Sequence, residues 1–260
     1  MNKCVFFRNT LLALLFLAPA MTARADDVDI VGIELGMSVE EVEAAIKDYN
    51  PELKLDRTQF YMNYSDGVNK LRTEDYVRMV TTAPHRVDSF MVTFAALPDD
   101  PEVLAFERVH KMKNEPVDRA VYYQALVDKY GKPSLEAEDP RSKTMFIQWY
   151  LGEDKVNCKP ARLQPGPRVG VDVSLTSSLV KEIRNPDGSM KLTDAKEIGD
   201  CAVVMEYRLV GNPVTKASGA VLDVAAAAKN ELNVATWMEE LSQKAREELA
   251  KSSKSAKPKL

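Results

Sequence analysis

His85 and His110 are the only two histidines in the 260-residue chain, and Cys158 and Cys201 are two of its three cysteines. These side chains bound the chemistry that the chain could perform. A zinc site takes three or four ligands at short spacing, but the histidines lie far apart and no His-Glu-x-x-His occurs. No metal or cofactor is therefore expected. A Ser–His–Asp triad could use either imidazole, yet the Gly-x-Ser-x-Gly turn that raises a nucleophilic serine is missing, as are Gly-rich phosphate loops. A catalytic thiol would want a neighbouring histidine or a Cys-x-x-Cys spacing, and neither cysteine has one. Glu136, Glu138 and Asp139 crowd one stretch after Pro133. A glycosidase needs two acids held apart on rigid elements, so this stretch is expected to be a solvated loop. Tyr61, Tyr64 and Tyr76, and later Tyr122, Tyr123, Trp149 and Tyr150, are aromatics expected to pack in the core, with a binding groove as the alternative. No catalytic residue is assigned.

Residues 1–25 read as a secretory leader. Lys3 and Arg8 open it, an apolar run spans 11–18, and Ala23-Arg-Ala25 presents small residues where a signal peptidase reads, so cleavage is expected before Asp26. The run is shorter than the roughly 20 residues of a spanning helix, so no transmembrane anchor is expected. Losing Lys3, Arg8 and Arg24 and no acid moves the formal net charge from −4 to −7. That balance argues against a nucleic-acid partner. Cys4 leaves with the leader. Cys158 and Cys201 then form an even pair in an exported chain, and a disulfide is expected.

The clearest local signal lies around Ser38. Ser38 with Glu41 forms a capping box ahead of Val39, Val42 and Ile46, which recur at helical spacing. Residues 28–35 alternate as a short strand before it. Period-two patterning from Leu53 to Tyr64 ends at the turn Ser65-Asp-Gly67, and 76–82 and 87–97 read as further strands. Residues 103–112 are expected to return as a strand across Pro98-Asp-Asp-Pro101, with a helix capped by Asp100 as the alternative. A second helix is expected over 117–130, ended by Gly131 and Pro133. Strands follow at 144–151, 169–175 and 201–210, with a turn at Asn185-Pro-Asp-Gly-Ser189. From Asp223 a capped amphipathic helix is expected toward Ala250, with Val234, Trp237, Met238 and Leu241 on one face. Glu240 with Lys244 and Glu247 with Lys251 are spaced for ion pairs.

Gly36-Met-Ser-Val-Glu-Glu-Val42 after a short strand, and Leu126-Val-Asp-Lys-Tyr-Gly-Lys-Pro-Ser134, resemble the helix starts and ends of small envelope lipoproteins of the BamE (SmpA/OmlA) type. The second segment also resembles exported bacterial proteins of uncharacterised role. The resemblance implies helices packed on a small antiparallel sheet, as the tandem-repeat β-lactamase-inhibitor proteins also have. The lipid-bearing cysteine of the lipoproteins is absent here.

Helix-then-strands occurs twice. The expected fold is α+β: two helix-on-antiparallel-sheet units in tandem (26–112 and 113–222, the second holding the disulfide), a C-terminal helix at 223–250, and a disordered basic tail at 251–260. The expected function is that of a non-catalytic interaction or scaffold protein, periplasmic or secreted. It would dock on another envelope protein through Val234, Trp237, Met238 and Leu241, with weak contact of the tail to anionic surfaces. A small-ligand binder and a hydrolase assembled from distant residues, including His85 or His110, are the alternatives.

Overall fold

Val39, Val42 and Ile46 fall three and four positions apart, so they share one side of the first helix, α1 (Val39–Tyr49), and all three are buried. The computed structural model describes residues 28–82, 87–158, 179–191 and 194–255, and in it the capping box forms. Ser38 Oγ accepts from the Glu41 N–H at 3.3 Å, and Glu41 Oε2 accepts from the Ser38 N–H at 2.8 Å. Ser38→Ala leaves both donors of this reciprocal pair less well served. It is expected to cost about 1 kcal/mol, read as a lower urea midpoint at unchanged slope. An unmoved midpoint would show that the cap does not hold α1.

Strands β1 (Leu55–Phe60), β4 (Tyr76–Thr82), β5 (Asp88–Phe94), β6 (Val103–Lys111), β7 (Leu135–Asp139), β8 (Thr144–Leu151), β9 (Val203–Val210) and β10 (Lys216–Asp223) form one antiparallel sheet. Its order is β1-β4-β5-β6-β10-β9-β8-β7, while β2 (Asn63–Ser65) and β3 (Lys70–Arg72) make a separate hairpin. With α1, the helices α2 (Arg119–Tyr130), α3 (Leu179–Ile183) and α4 (Val224–Ser255) make the fold α+β.

Side chains alternate across a strand, so directly paired residues share a face. The row Val92–Phe106–Val221–Met205–Trp149 crosses five strands and is buried throughout. Helices α1 and α2 and the segment from Val28 to Ile33 cover this first face. The adjacent row, Thr93–Ala105–Leu222–Val204–Tyr150, points the other way. Helices α3 and α4 close that second face around the Cys158–Cys201 disulfide. Ala105 and Ala220 on the sheet meet Ala227 and Ala228 on the helix, so small residues let α4 approach closely. Asn230 pins it there: its side-chain amide donates to the Ala96 carbonyl at 2.8 Å and accepts from the Ala96 N–H at 3.0 Å. One sheet thus lies between two helical layers.

Several local expectations change. Residues 28–35 form a tight turn rather than a strand: Ile30 and Ile33 exchange backbone hydrogen bonds of 3.1 and 3.3 Å, and Gly32 takes φ 79°. Residues 135–139 are an edge strand, not a loop; Leu135 and Ala137 alternate with more exposed Glu136 and Glu138, and outward charge protects an edge. Strand β10 was not expected at all. Helix α2 begins at Arg119 behind an Asp118 cap. Helix α4 runs to Ser255, past the start expected for a disordered tail. Arg246 pairs with Glu239 at 2.8 Å, and neither spaced Glu–Lys pair forms among the described residues. The leader, the strand expected at 169–175 and the end of the tail lie outside the described residues. Among those described, no helix is long and apolar enough to cross a membrane.

Candidate functional site

Two rows of the first face carry polar side chains into an otherwise apolar layer. One is Phe90–Arg108–Gly219–Tyr207–Ile147, and the next begins Asp88–His110–Ala217. Strand alternation keeps Phe106, Arg108 and His110 on one face of β6, and the antiparallel register sets Asp88 of β5 opposite His110. Tyr49, the last residue of α1, reaches down to this cluster. Tyr122 and Tyr130 approach from α2.

The Asp88 side chain is only 5% exposed, against 19% for Arg108 and 26% for His110. Its Oδ1 accepts from Arg108 Nε at 2.9 Å and from His110 Nδ1 at 2.8 Å, and its Oδ2 accepts from the Tyr49 hydroxyl at 3.0 Å. The Tyr49 oxygen in turn accepts from Arg108 Nη2 at 2.5 Å, and the guanidinium carbon lies 4.9 Å from the Tyr49 ring centre. A carboxylate tolerates such burial only when its oxygens face donors. Burial pushes the Asp88 carboxyl up, but the hydrogen bonds and charges of Arg108 and His110 outweigh it and hold the group below the ordinary aspartate range.

The depressed value has a consequence for stability. A carboxyl whose folded value lies below its unfolded one stabilises the fold above the unfolded value, about pH 3.9, and loses that contribution as the pH falls through the folded value. Asp88→Asn is expected to cost about 2 kcal/mol at pH 7, the scale of hydrogen bonds to a charged group. Its deficit against the wild type should shrink below about pH 3.9. Urea melts of both proteins across that range test this, and a deficit independent of pH would rule out the ionised carboxylate as its source.

Gly219 makes room for an aromatic ring beside the cluster. A Cβ there would stand 2.6 Å from the Tyr207 ring and 3.0 Å from Ile30, so only glycine lets that ring lie across β10. The Tyr207 and Tyr130 hydroxyls are 3.3 Å apart, and Tyr130 donates to the Asp29 carbonyl at 2.9 Å. Burial pushes Tyr130 up to about 12 and Tyr207 well above its usual value, so both stay protonated. Burial raises Tyr122 too.

Of the residues singled out from sequence, His110 belongs to this cluster and Tyr122 packs on the same face, and His85 lies outside the described residues. The other aromatics do not join them. Tyr123 donates to Glu136 at 2.7 Å, and Trp149 is core, its Nε1 donating to the Gly131 carbonyl at 3.0 Å. Tyr150 is on the opposite face, bonded to Gln148. Tyr61 lies under Arg72, and Tyr76 lines a cavity of about 230 Å³ with Val39, Arg57 and Leu97. Val234, Trp237, Met238 and Leu241 belong to α4 and are half-buried. Glu138 accepts from Arg119 at 2.9 Å, a structural tie. Tyr49, Asp88 and Arg108 were not anticipated; the signal available was the parity of Arg108 and His110 with Phe106 in an apolar strand.

The second face holds its own polar group. Glu206, 1% exposed, accepts from Arg208 Nε at 2.6 Å and from Gln148 Nε2 at 2.5 Å. Burial raises the nearby Glu107 carboxyl. Among the described residues no set of three His, Cys, Asp or Glu side chains is placed to hold a metal. No family model matches the chain, and neither a curated protein nor a solved structure matches it.

Proposed function

We propose that this is an exported, non-catalytic interaction protein of a bacterial envelope, processed before Asp26 and docking on another envelope protein through the distal part of α4. One observation carries the reading. Asn230 is the last buried residue of α4, yet the helix continues to Ser255 and keeps Val234, Trp237, Met238 and Leu241 half-buried on one side. The 25 residues from 231 to 255 extend roughly 37 Å at about 1.5 Å per residue. A helix of that length with an incompletely covered apolar stripe suits a partner groove or helix.

Strand β2 meets α4, which widens the surface. Phe60 and Tyr61 precede that hairpin and Val68 lies in its turn, at 41%, 48% and 79% exposure. Large exposed apolar side chains are a mark of an interaction patch. The topology supports two fused units related to the BamE-like plan. In each half a helix precedes four strands of the sheet, α1 before β1, β4, β5 and β6, and α2 before β7 to β10. The last strand of each half, β6 and β10, pairs with the other.

A photo-crosslinking residue at Trp237, and separately at Val68, tests the reading in living cells. The expected result is capture of the same envelope protein from both positions. Met238→Asp with Leu241→Asp should abolish that capture while the melting temperature stays close to wild type. Recovery of uncrosslinked protein alone from both positions would sink the interaction reading.

A further inference from the structure

Donors and acceptors around Asp88 do not balance, and the surplus lies with the donors. Asp88 already accepts from Arg108, His110 and Tyr49, and the Tyr49 oxygen accepts from Arg108. Two donors are left over. Arg108 Nη1 and the Tyr122 hydroxyl make no hydrogen bond among the described residues. Both meet solvent, because no buried polar side-chain atom lacks a partner. Tyr122 packs against the same first-face core from α2, and the charges of Arg108 and Asp88 both reach its phenol.

The chemistry of these atoms selects a ligand class. Guanidinium N–H groups and a protonated phenol are donors, so the group they meet should be an acceptor. Asp88 already offsets most of the Arg108 charge, which suits a monoanion better than a phosphate dianion. The guanidinium carbon lies 4.9 Å from the Tyr49 ring centre and 6.0 Å from that of Phe90. These rings hold its plane, and a planar fork fits the planar carboxylate. We propose that the Arg108–Tyr122 side of the Asp88 cluster binds a carboxylate-bearing ligand, whose oxygens take the spare Arg108 N–H groups and the Tyr122 hydroxyl. The carboxylate belongs either to a small free acid or to the C-terminus of a peptide.

The site is independent of α4, which covers the opposite face of the sheet. The two histidines of the chain make the test direct, because a His85→Gln variant assigns the His110 ring resonances by elimination. The purified protein at low ionic strength is titrated with acetate, benzoate, succinate, inorganic phosphate, and a trialanine peptide as free acid and as C-terminal amide. At least one carboxylate should shift the His110 resonances saturably. Tyr122→Phe should weaken that binding about tenfold, the scale of one hydrogen bond to a charged group. Arg108→Lys, which loses the planar fork, should weaken it further. Saturation by the free-acid peptide alone places the carboxylate on a peptide end, and saturation by the small acids places it on a metabolite. Non-saturable shifts with every carboxylate, equal affinity in Tyr122→Phe, or preference for phosphate would overturn the proposal. If Arg108→Lys does not fold, Tyr122→Phe decides alone, since it keeps the ring and its packing.

Discussion

Trp149→Ala is expected to lose about 3–5 kcal/mol of stability, the usual range for emptying a large aromatic site in a core. Trp149 is 2% exposed at the centre of the first face. Its ring meets Tyr130 edge-on at 5.8 Å and Tyr207 at 6.3 Å. Its Nε1 also donates to the Gly131 carbonyl at 3.0 Å, at the C-terminal cap of α2, where the chain takes φ 77°. Truncation therefore empties a space bounded by two rings and leaves a helix-end carbonyl without its donor. The neighbours cannot close that space cheaply, because Tyr207 already lies against Gly219 and Ile30. Trp149→Phe should fall between, restoring much of the packing but not the hydrogen bond. Urea unfolding of the three proteins measures both steps. A loss under about 1 kcal/mol for Trp149→Ala would mean that the ring is not part of a close-packed core. The effect should also reach the Asp88 cluster, since α2 carries both Tyr122 and Tyr130. The proposed carboxylate binding should then weaken in Trp149→Ala even where the protein remains folded.

The same residues show which parts of the fold can be read from sequence. Ser38 with Glu41, and Asp223 ahead of an Ala-rich run, announce their helices because capping is local; Asp223 accepts from the Ala226 N–H at 2.8 Å as its position implies. Strands with clear alternation, such as β4 and β5, are equally legible. Strand β10 is not, because Ala217, Gly219 and Ala220 were selected by what packs on them: the Tyr207 ring on one face and the alanines of α4 on the other. Strand β7 is hidden by Glu136, Glu138 and Asp139, whose charge imitates a loop. The candidate site is the least legible. Asp88 stands 20 residues from Arg108 and 39 from Tyr49, so only the register of β5 on β6 and the end of α1 bring them together. Arg108 and His110 share strand parity with Phe106, which places two ionisable side chains under helices. That is a local warning of a buried polar cluster without any indication of its partners. Helix α4 was legible as a periodic stripe, but how much of the stripe is covered depends on the sheet beneath it.

Replacing both Cys158 and Cys201 by alanine should cost about 4 kcal/mol, from a loop that the disulfide closes across 43 positions of sequence. The bond does more than shorten the unfolded chain. Cys158 and Cys201 are 1% and 4% exposed, packed with Leu179 and Ile183 of α3 and with Ala227 of α4. Backbone bonds tie the same two segments side by side: the Val156 N–H donates to the Asp200 carbonyl at 2.9 Å, and the Ala202 N–H to the Val156 carbonyl at 2.8 Å. Strand β9 enters the sheet directly after Cys201, so the covalent link anchors the start of a central strand. Reduced wild type should match the double alanine variant within about 1 kcal/mol, since alanine keeps the site apolar and the chain entropy is the same. Intact mass should show the oxidised protein two hydrogens lighter than the dithiol. Hydrogen exchange separates the two contributions. If chain entropy dominates, protection should fall across the whole sheet in proportion to global stability. If local anchoring dominates, α3 and the turn from Ile198 to Asp200 should lose protection first. A loss below about 1 kcal/mol with unchanged exchange would show that α3 and α4 hold this region without the bond. In an oxidising compartment the linked form is the one that persists.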